Sequence, residues 1–130
     1  MSSDGERTVI STPRAPKAIG PYAQAVRLGD LLFVSGMIPI DPKTNEMSGG
    51  SFEEQVKLVL ENIKAVVEAG GMTLKNVLKA SVFLRDMNDF GKFNEIYNRY
   101  FVDILPARET IQVARLPRDA SIEISVMCGK

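Results

Sequence analysis

Only two stretches of this 130-residue chain carry helical periodicity, while most of the remaining patterned sequence reads as strand. The first helix opens at Ser51, where Ser51-x-x-Glu54 is a capping box that satisfies free N–H groups of the first turn. Phe52, Val56, Val59, Leu60, Ile63, Val66 and Val67 recur on one face, with Lys57, Glu61, Lys64 and Glu68 on the other. Gly70-Gly71 supplies the stop. This helix is core. The second follows caps offered by Asp86-Met87-Asn88-Asp89 and sets Phe90, Phe93, Ile96, Tyr97, Tyr100 and Phe101 at helical spacing. Such an aromatic stripe belongs to a core before it belongs to a ligand.

The strands fall around these helices. Residues 8–10 suit a short edge strand, and residues 11–17 are irregular because Pro13 and Pro16 cannot join a ladder. Residues 23–28 and 31–36 are joined across Gly29-Asp30, a hairpin signal. Residues 41–45 (Asp-Pro-Lys-Thr-Asn) form a turn. Residues 77–85 are nearly continuous in apolarity, as a strand buried on both faces would be. The last two strands, within 106–117 and 121–126, read as a terminal hairpin that brings Arg108 and Glu123 to neighbouring strands. The order β-β-β-α-β-α-β-β, in one domain over residues 1–130 with residues 1–7 frayed, predicts an α+β fold. Its mixed sheet carries both helices on one face.

That ratio of helices to strands leaves a face to explain. Two helices cover one side of a five- or six-stranded sheet. Ile122, Ile124 and Val126 point to that side, and Glu123 points away. The far side would expose Phe33 and Phe83, which predicts cover by another subunit.

Composition narrows the chemistry. The chain has no histidine, sixteen cationic and sixteen acidic residues, and one cysteine. Histidine-based dyads, His-ligated zinc and multi-cysteine metal sites are therefore out, and catalysis must run on carboxylate, phenol, cation or hydroxyl groups. Zero net charge removes the footprint of a dedicated nucleic-acid binder. No signal-like or membrane-spanning run is present, so a cytoplasmic location is expected. Cys128 reads as inert.

Six positions stand out. Arg108, held behind Pro106, offers a planar fork to a carboxylate, although on spacing alone a surface or interface salt bridge is the stronger reading. Glu123, between two isoleucines, is either poised for proton transfer or an exposed cross-strand partner. Tyr22 is a covering phenol or a turn aromatic. Ser35-Gly36 allows close approach of the backbone to a ligand or simply ends a strand. Asn94 borders the aromatic stripe, one turn from Phe90 and Tyr97.

These residues sit within a series of motifs. Ala18-Ile19-Gly20-Pro21-Tyr22-Ala23-Gln24, Val34-Ser35-Gly36-Met37-Ile38-Pro39, Asn88-Asp89-Phe90 and Asn94-Glu95-Ile96-Tyr97 come first. Pro106-Ala107-Arg108, Val113-Ala114-Arg115-Leu116-Pro117 and Ile122-Glu123-Ile124 complete the series. In this order and spacing, from about Ser11 to Met127, the chain resembles the RidA-like branch of the reactive-intermediate deaminase (Rid, YjgF) family. The resemblance implies a chorismate-mutase-like fold, a homotrimer with clefts between subunits, and cofactor-free, metal-free hydrolysis of 2-iminobutanoate or 2-iminopropanoate to 2-keto acids and ammonia. It implies a functional link to the pyridoxal-phosphate-dependent dehydratases that release such species.

The same resemblance implies that Arg108 clamps the substrate carboxylate and that Glu123 positions or activates water. Tyr22, Ser35, Gly36, Asn94 and Thr110 would line the pocket. Thr110 stands where many relatives have Cys, which is tolerated if the neighbouring carbonyl binds the water. Met37 stands where Gln is usual, at a pocket wall or interface. Two other readings compete: a non-catalytic 2-keto-acid sensor, and an endoribonuclease or translation inhibitor. The neutral charge and missing histidine weigh against the second.

Overall fold

The structure, a computed structural model, describes residues 6–130. Strands β1 (Arg7–Ile10), β2 (Ala25–Leu28) and β3 (Leu31–Met37) precede helix α1 (Phe52–Ala69). Strand β4 (Val77–Leu84), helix α2 (Phe90–Tyr100), β5 (Ala107–Gln112) and β6 (Ile122–Gly129) follow. The predicted order holds. Of the expected frayed terminus, residues 1–5 lie outside the described residues, whereas Arg7 already pairs with Leu28 in the sheet.

Helix α1 forms as its pattern requires. Ser51 Oγ accepts the Glu54 N–H at 3.1 Å, and the chain turns off at Gly71 with φ 84°. Val56, Val59, Leu60, Ile63, Val66 and Val67 are fully buried. At ~1.5–3 kcal/mol each, that one stripe supplies on the order of 10 kcal/mol before entropy is counted. Asp86 caps the 3-10 turn ahead of α2, accepting from the Asn88 N–H at 2.9 Å.

The six strands lie in the order β1-β2-β3-β6-β4-β5, which corrects the terminal hairpin. β6 pairs antiparallel with both β3 and β4, and β5 pairs parallel with β4 at the sheet edge. A chain that leaves β4 through a helix returns parallel to it, which put β5 on the outer side of β4 and left the inner side for β6. The fully buried Ile122 and Ile124 suit that central place. Nor is β4 buried on both faces: Val77, Ala80, Val82 and Leu84 are buried beneath the helices, while Lys79, Ser81 and Phe83 are half-buried opposite.

The far face is only partly bare. A second small cluster of Ile38, Ile40, Leu116 and Ala120 packs on Phe83 and corrects its expected exposure. Phe33 does emerge, at 43% exposure, with Val9, Leu28, Leu31 and Met127. Register places all five on one face, since Phe33 pairs with Val26 and Met127, Leu31 with Leu28, and Val26 with Val9. Among the described residues, no helix is long and apolar enough to cross a membrane.

Candidate functional site: a cleft and a cradle

A cleft of ≈ 410 Å³ opens on the far face, walled by Lys17, Ile19, Tyr22, Ser35, Ile38, Pro117 and Glu123 among others. Five of the residues singled out from the sequence meet here: Tyr22, Ser35, Gly36, Met37 and Glu123. Strand β3 bulges between Val34 and Met37, where Ser35 bonds the Ala23 and Gln24 carbonyls and Gly36 lies against Glu123 of β6. A side chain at position 36 would collide with Glu123, coming within 2.8 Å of its carboxyl carbon. Glycine therefore makes room for the carboxylate. Met37 is different. It pairs with Ile124 and is buried in the main core, yet it also lines the cleft, in keeping with its expected place at a pocket wall.

Burial pushes the Glu123 carboxyl above the usual carboxylate range, and among the described residues it has no ion-pair partner. Glu109 shows the contrast. A hydrogen bond from Lys79, then one from Ser81, hold it below that range, with Lys79 Nζ 3.1 Å away. The hydroxyls of the cleft are oriented. Ser35 Oγ donates to the Ala23 carbonyl at 2.6 Å and keeps its lone pairs to accept. Tyr22 Oη accepts the Ile19 N–H at 3.2 Å and keeps its proton to donate. On the rim, Arg118 and Asp119 both hold positive φ, at ~1–3 kcal/mol each. The Arg115–Asp119 ion pair and the Arg85 guanidinium, donating to the Asp119 carbonyl at 2.8 Å, fix that turn.

Arg108 is elsewhere. It pairs with Ala80, which faces the helices, whereas Glu123 pairs with Phe83 on the other face. β4 separates their strands. Three rings of α2 cradle the guanidinium, with Cζ 4.8 Å from the Tyr97 centroid, 5.2 Å from Phe93 and 5.8 Å from Phe90. The stripe read as core is both core and platform, a role its spacing alone did not reveal. Thr110 shares the strand face of Arg108; its hydroxyl and that of Tyr97 are buried without a hydrogen-bond partner. Burial raises the Tyr97 phenol, against the pull of Arg108. Asn94 is half-buried on α2, one turn from Phe90 and Tyr97, on the cradle's helix rather than the cleft's wall.

So the charged pair is split. The cleft holds a carboxylate, a hydroxyl acceptor and a phenol donor in a largely apolar hollow. The cradle holds a rigid cation at a sheet edge. Sequence reasoning missed Gln24 and Asn62 as buried polar residues; both hold cleft walls through backbone carbonyls. A polar residue inside an otherwise apolar stripe was the available signal for Asn62. Among the described residues, no cluster of acidic or cysteine side chains could hold a metal.

Comparison with known proteins agrees with this architecture. The family described as endoribonuclease L-PSP matches residues 12–129. A RutC family protein of Saccharolobus solfataricus is 54% identical, covering 95% of this chain and 98% of its own. TdcF of Escherichia coli K12, named as a candidate reactive intermediate deaminase, is 44% identical over 93% of this chain and 95% of its own. A TdcF crystal structure with bound serine superposes with a TM-score of 0.91, at 43% identity and 95% and 98% coverage. A structure titled as a candidate endoribonuclease of Thermotoga maritima gives a TM-score of 0.93, at 52% identity and 95% and 97% coverage. Its sequence motifs, its sheet order and these likenesses together make the chain a member of the Rid (YjgF, RutC) family.

Proposed function

We propose that the chain hydrolyses small 2-imino acids, 2-iminobutanoate and 2-iminopropanoate, to 2-keto acids and ammonia. One observation carries the reading: an unpaired carboxylate, raised by burial, sits in an apolar cleft beside oriented hydroxyl and phenol groups. The name of TdcF supports the reaction class. A protonated imine carbon is already electrophilic, so the reaction needs orientation, a water and one group that exchanges protons. Water adds to the C=N carbon, the nitrogen gains protons, and C–N cleavage leaves the keto acid and ammonia. Glu123, with its raised affinity for protons, serves as the exchanging group. The Tyr22 phenol donates and the Ser35 hydroxyl accepts at the substrate. None of these steps requires a cofactor.

The carboxylate clamp is Arg108, supplied by another copy of the chain. Arg108 and Glu123 of one copy lie on opposite faces of a sheet, so a second copy must bring its cradle edge to the first copy's cleft. The five exposed apolar residues around Phe33 support assembly, read here as a homotrimer. Pyridoxal-phosphate-dependent dehydratases would supply the substrate, in the cytoplasm.

The test couples a threonine dehydratase to this protein and follows 2-oxobutanoate while semicarbazide traps free imine. Acceleration that Arg108→Ala abolishes is the expected result. Absence of acceleration, with 2-oxobutanoate still bound, would instead establish a sensor.

A further inference from the structure

Among the described residues, four buried side chains are polar: Thr12, Gln24, Asn62 and Ser121. Two of them, Gln24 and Asn62, bond directly to main-chain carbonyls of cleft-lining residues. Gln24 Oε1 accepts the Thr12 N–H at 2.8 Å. Its Nε2 donates to the carbonyls of Pro16 at 2.8 Å, Thr12 at 3.2 Å and Ala15 at 3.4 Å. Pro16, Lys17, Ala18 and Ile19 form one wall of the cleft. The Gln24 main-chain carbonyl accepts the Ser35 N–H at 2.9 Å, which ties that wall to the strand bearing Ser35 and Gly36. Asn62 reaches out of α1 and donates to the Ile40 carbonyl at 2.9 Å, holding the opposite wall of Ile38 and Ile40. Ser121 bonds Gln55 of α1, two residues before Glu123.

This distribution is not what stability alone would select. A buried amide costs free energy unless fully bonded, and an apolar residue would pack either position with less demand. Both N–H groups of the Gln24 amide already face main-chain carbonyls, so its donors are not available to a ligand. We propose that Gln24 and Asn62 are positioning residues: a pair of buried amide clamps that fixes the two walls of the cleft at the spacing its ligand requires. The inference rests on the proposed function for its ligand, but not for the clamps themselves.

Wall spacing contributes equally to ground-state and transition-state binding, so its loss raises KM and spares kcat. Gln24→Met and Asn62→Leu should each raise KM and the Kd for 2-oxobutanoate roughly 5- to 100-fold, with kcat within about 3-fold of wild type. Val59→Ala, a destabilising change inside α1, should lower Tm without moving KM or Kd. Gln24→Asn keeps the amide but shortens its reach, and serves if Gln24→Met does not fold. Hydrogen exchange at Lys17, Ala18 and Ile19 should accelerate in the Gln24 variants and stay unchanged in Val59→Ala. Unchanged KM and Kd in folded clamp variants, or the same rise in Val59→Ala, overturns the proposal. A wild type inert in both ligand assays counts against the proposed function instead; exchange at 17–19 then decides the clamps, and no acceleration overturns them.

Discussion

The cleft and the cradle solve opposite problems. In the cleft an acid is kept short of partners: among the described residues Glu123 has no ion-pair partner, and desolvation raises its proton affinity. In the cradle a cation is kept rigid: Arg108 lies against three rings, which orient the guanidinium without neutralising it. Had a folded chain set the two side by side, they would neutralise each other as an ion pair. Placing them on opposite faces of one sheet leaves both charges available to a ligand. On the proposed reading, a site split this way is completed between copies.

The sharpest way to break this comparison is to remove one half from each of two chains. Arg108→Ala should lower kcat/KM on the imino acid by about 100-fold or more, the value of a bidentate charge-assisted clamp. Glu123→Gln should cost a similar order through lost proton exchange. Co-refolding the two inactive variants should then restore a measurable fraction of wild-type activity. Under the proposed assembly, mixed oligomers would contain junctions where an intact Arg108 faces an intact Glu123. Failure to recover activity in confirmed mixed oligomers would mean that the halves do not meet in trans.

A smaller effect is expected inside the cleft. Gly36→Ala introduces a β-carbon 2.8 Å from the Glu123 carboxyl carbon, so the carboxylate must move. The expectation is a roughly 10-fold loss in kcat with a small change in Tm, since the side chain rather than the backbone gives way. A Tm fall of many degrees with kcat unaltered would show that position 36 serves packing alone.

These sites differ in how legible they were. The core of α1, the β2–β3 hairpin and the inward parity of Ile122, Ile124 and Val126 follow from local periodicity, and the structure reproduces them. Pairing was not local. Pro106 to Val126 reads as a hairpin until the α2 crossover claims β5 for the outer edge of β4. Strand parity gave Glu123 its face correctly, but the face of Arg108 depends on the parallel register with Ala80, which sequence spacing does not encode. The motif series found the members of both halves while leaving their separation unseen. Met37 shows the remaining gap: its place at the cleft wall was expected, but its burial in the main core beside the β-bulge was not.

Acidity gives a gentler probe of the cleft. The folded Glu123 binds its proton more tightly than the unfolded chain does, because burial disfavours the charged form. Its contribution is therefore most favourable below the ordinary glutamate range, and it is lost progressively as pH rises through that range to the raised folded value. Glu123→Gln should accordingly be more stable than wild type at neutral pH, and the gap in Tm should close on acidification. Parallel Tm curves across this window would show that the carboxylate is not desolvated in solution.

The smallest effect belongs to Thr110 and separates the cradle from ordinary core. Its hydroxyl is buried without a partner, so Thr110→Val removes an unsatisfied polar group and keeps the shape. Stability should hold or rise, by about 1 kcal/mol at most. If the strand merely supports Arg108, kcat/KM should stay within a few-fold of wild type, and Thr110→Cys should behave alike. If instead the orphan hydroxyl holds a water for a neighbouring copy's cleft, Thr110→Val should lower kcat while Tm stays level. Threonine would then belong to the chemistry, and the cradle would supply more than a charge.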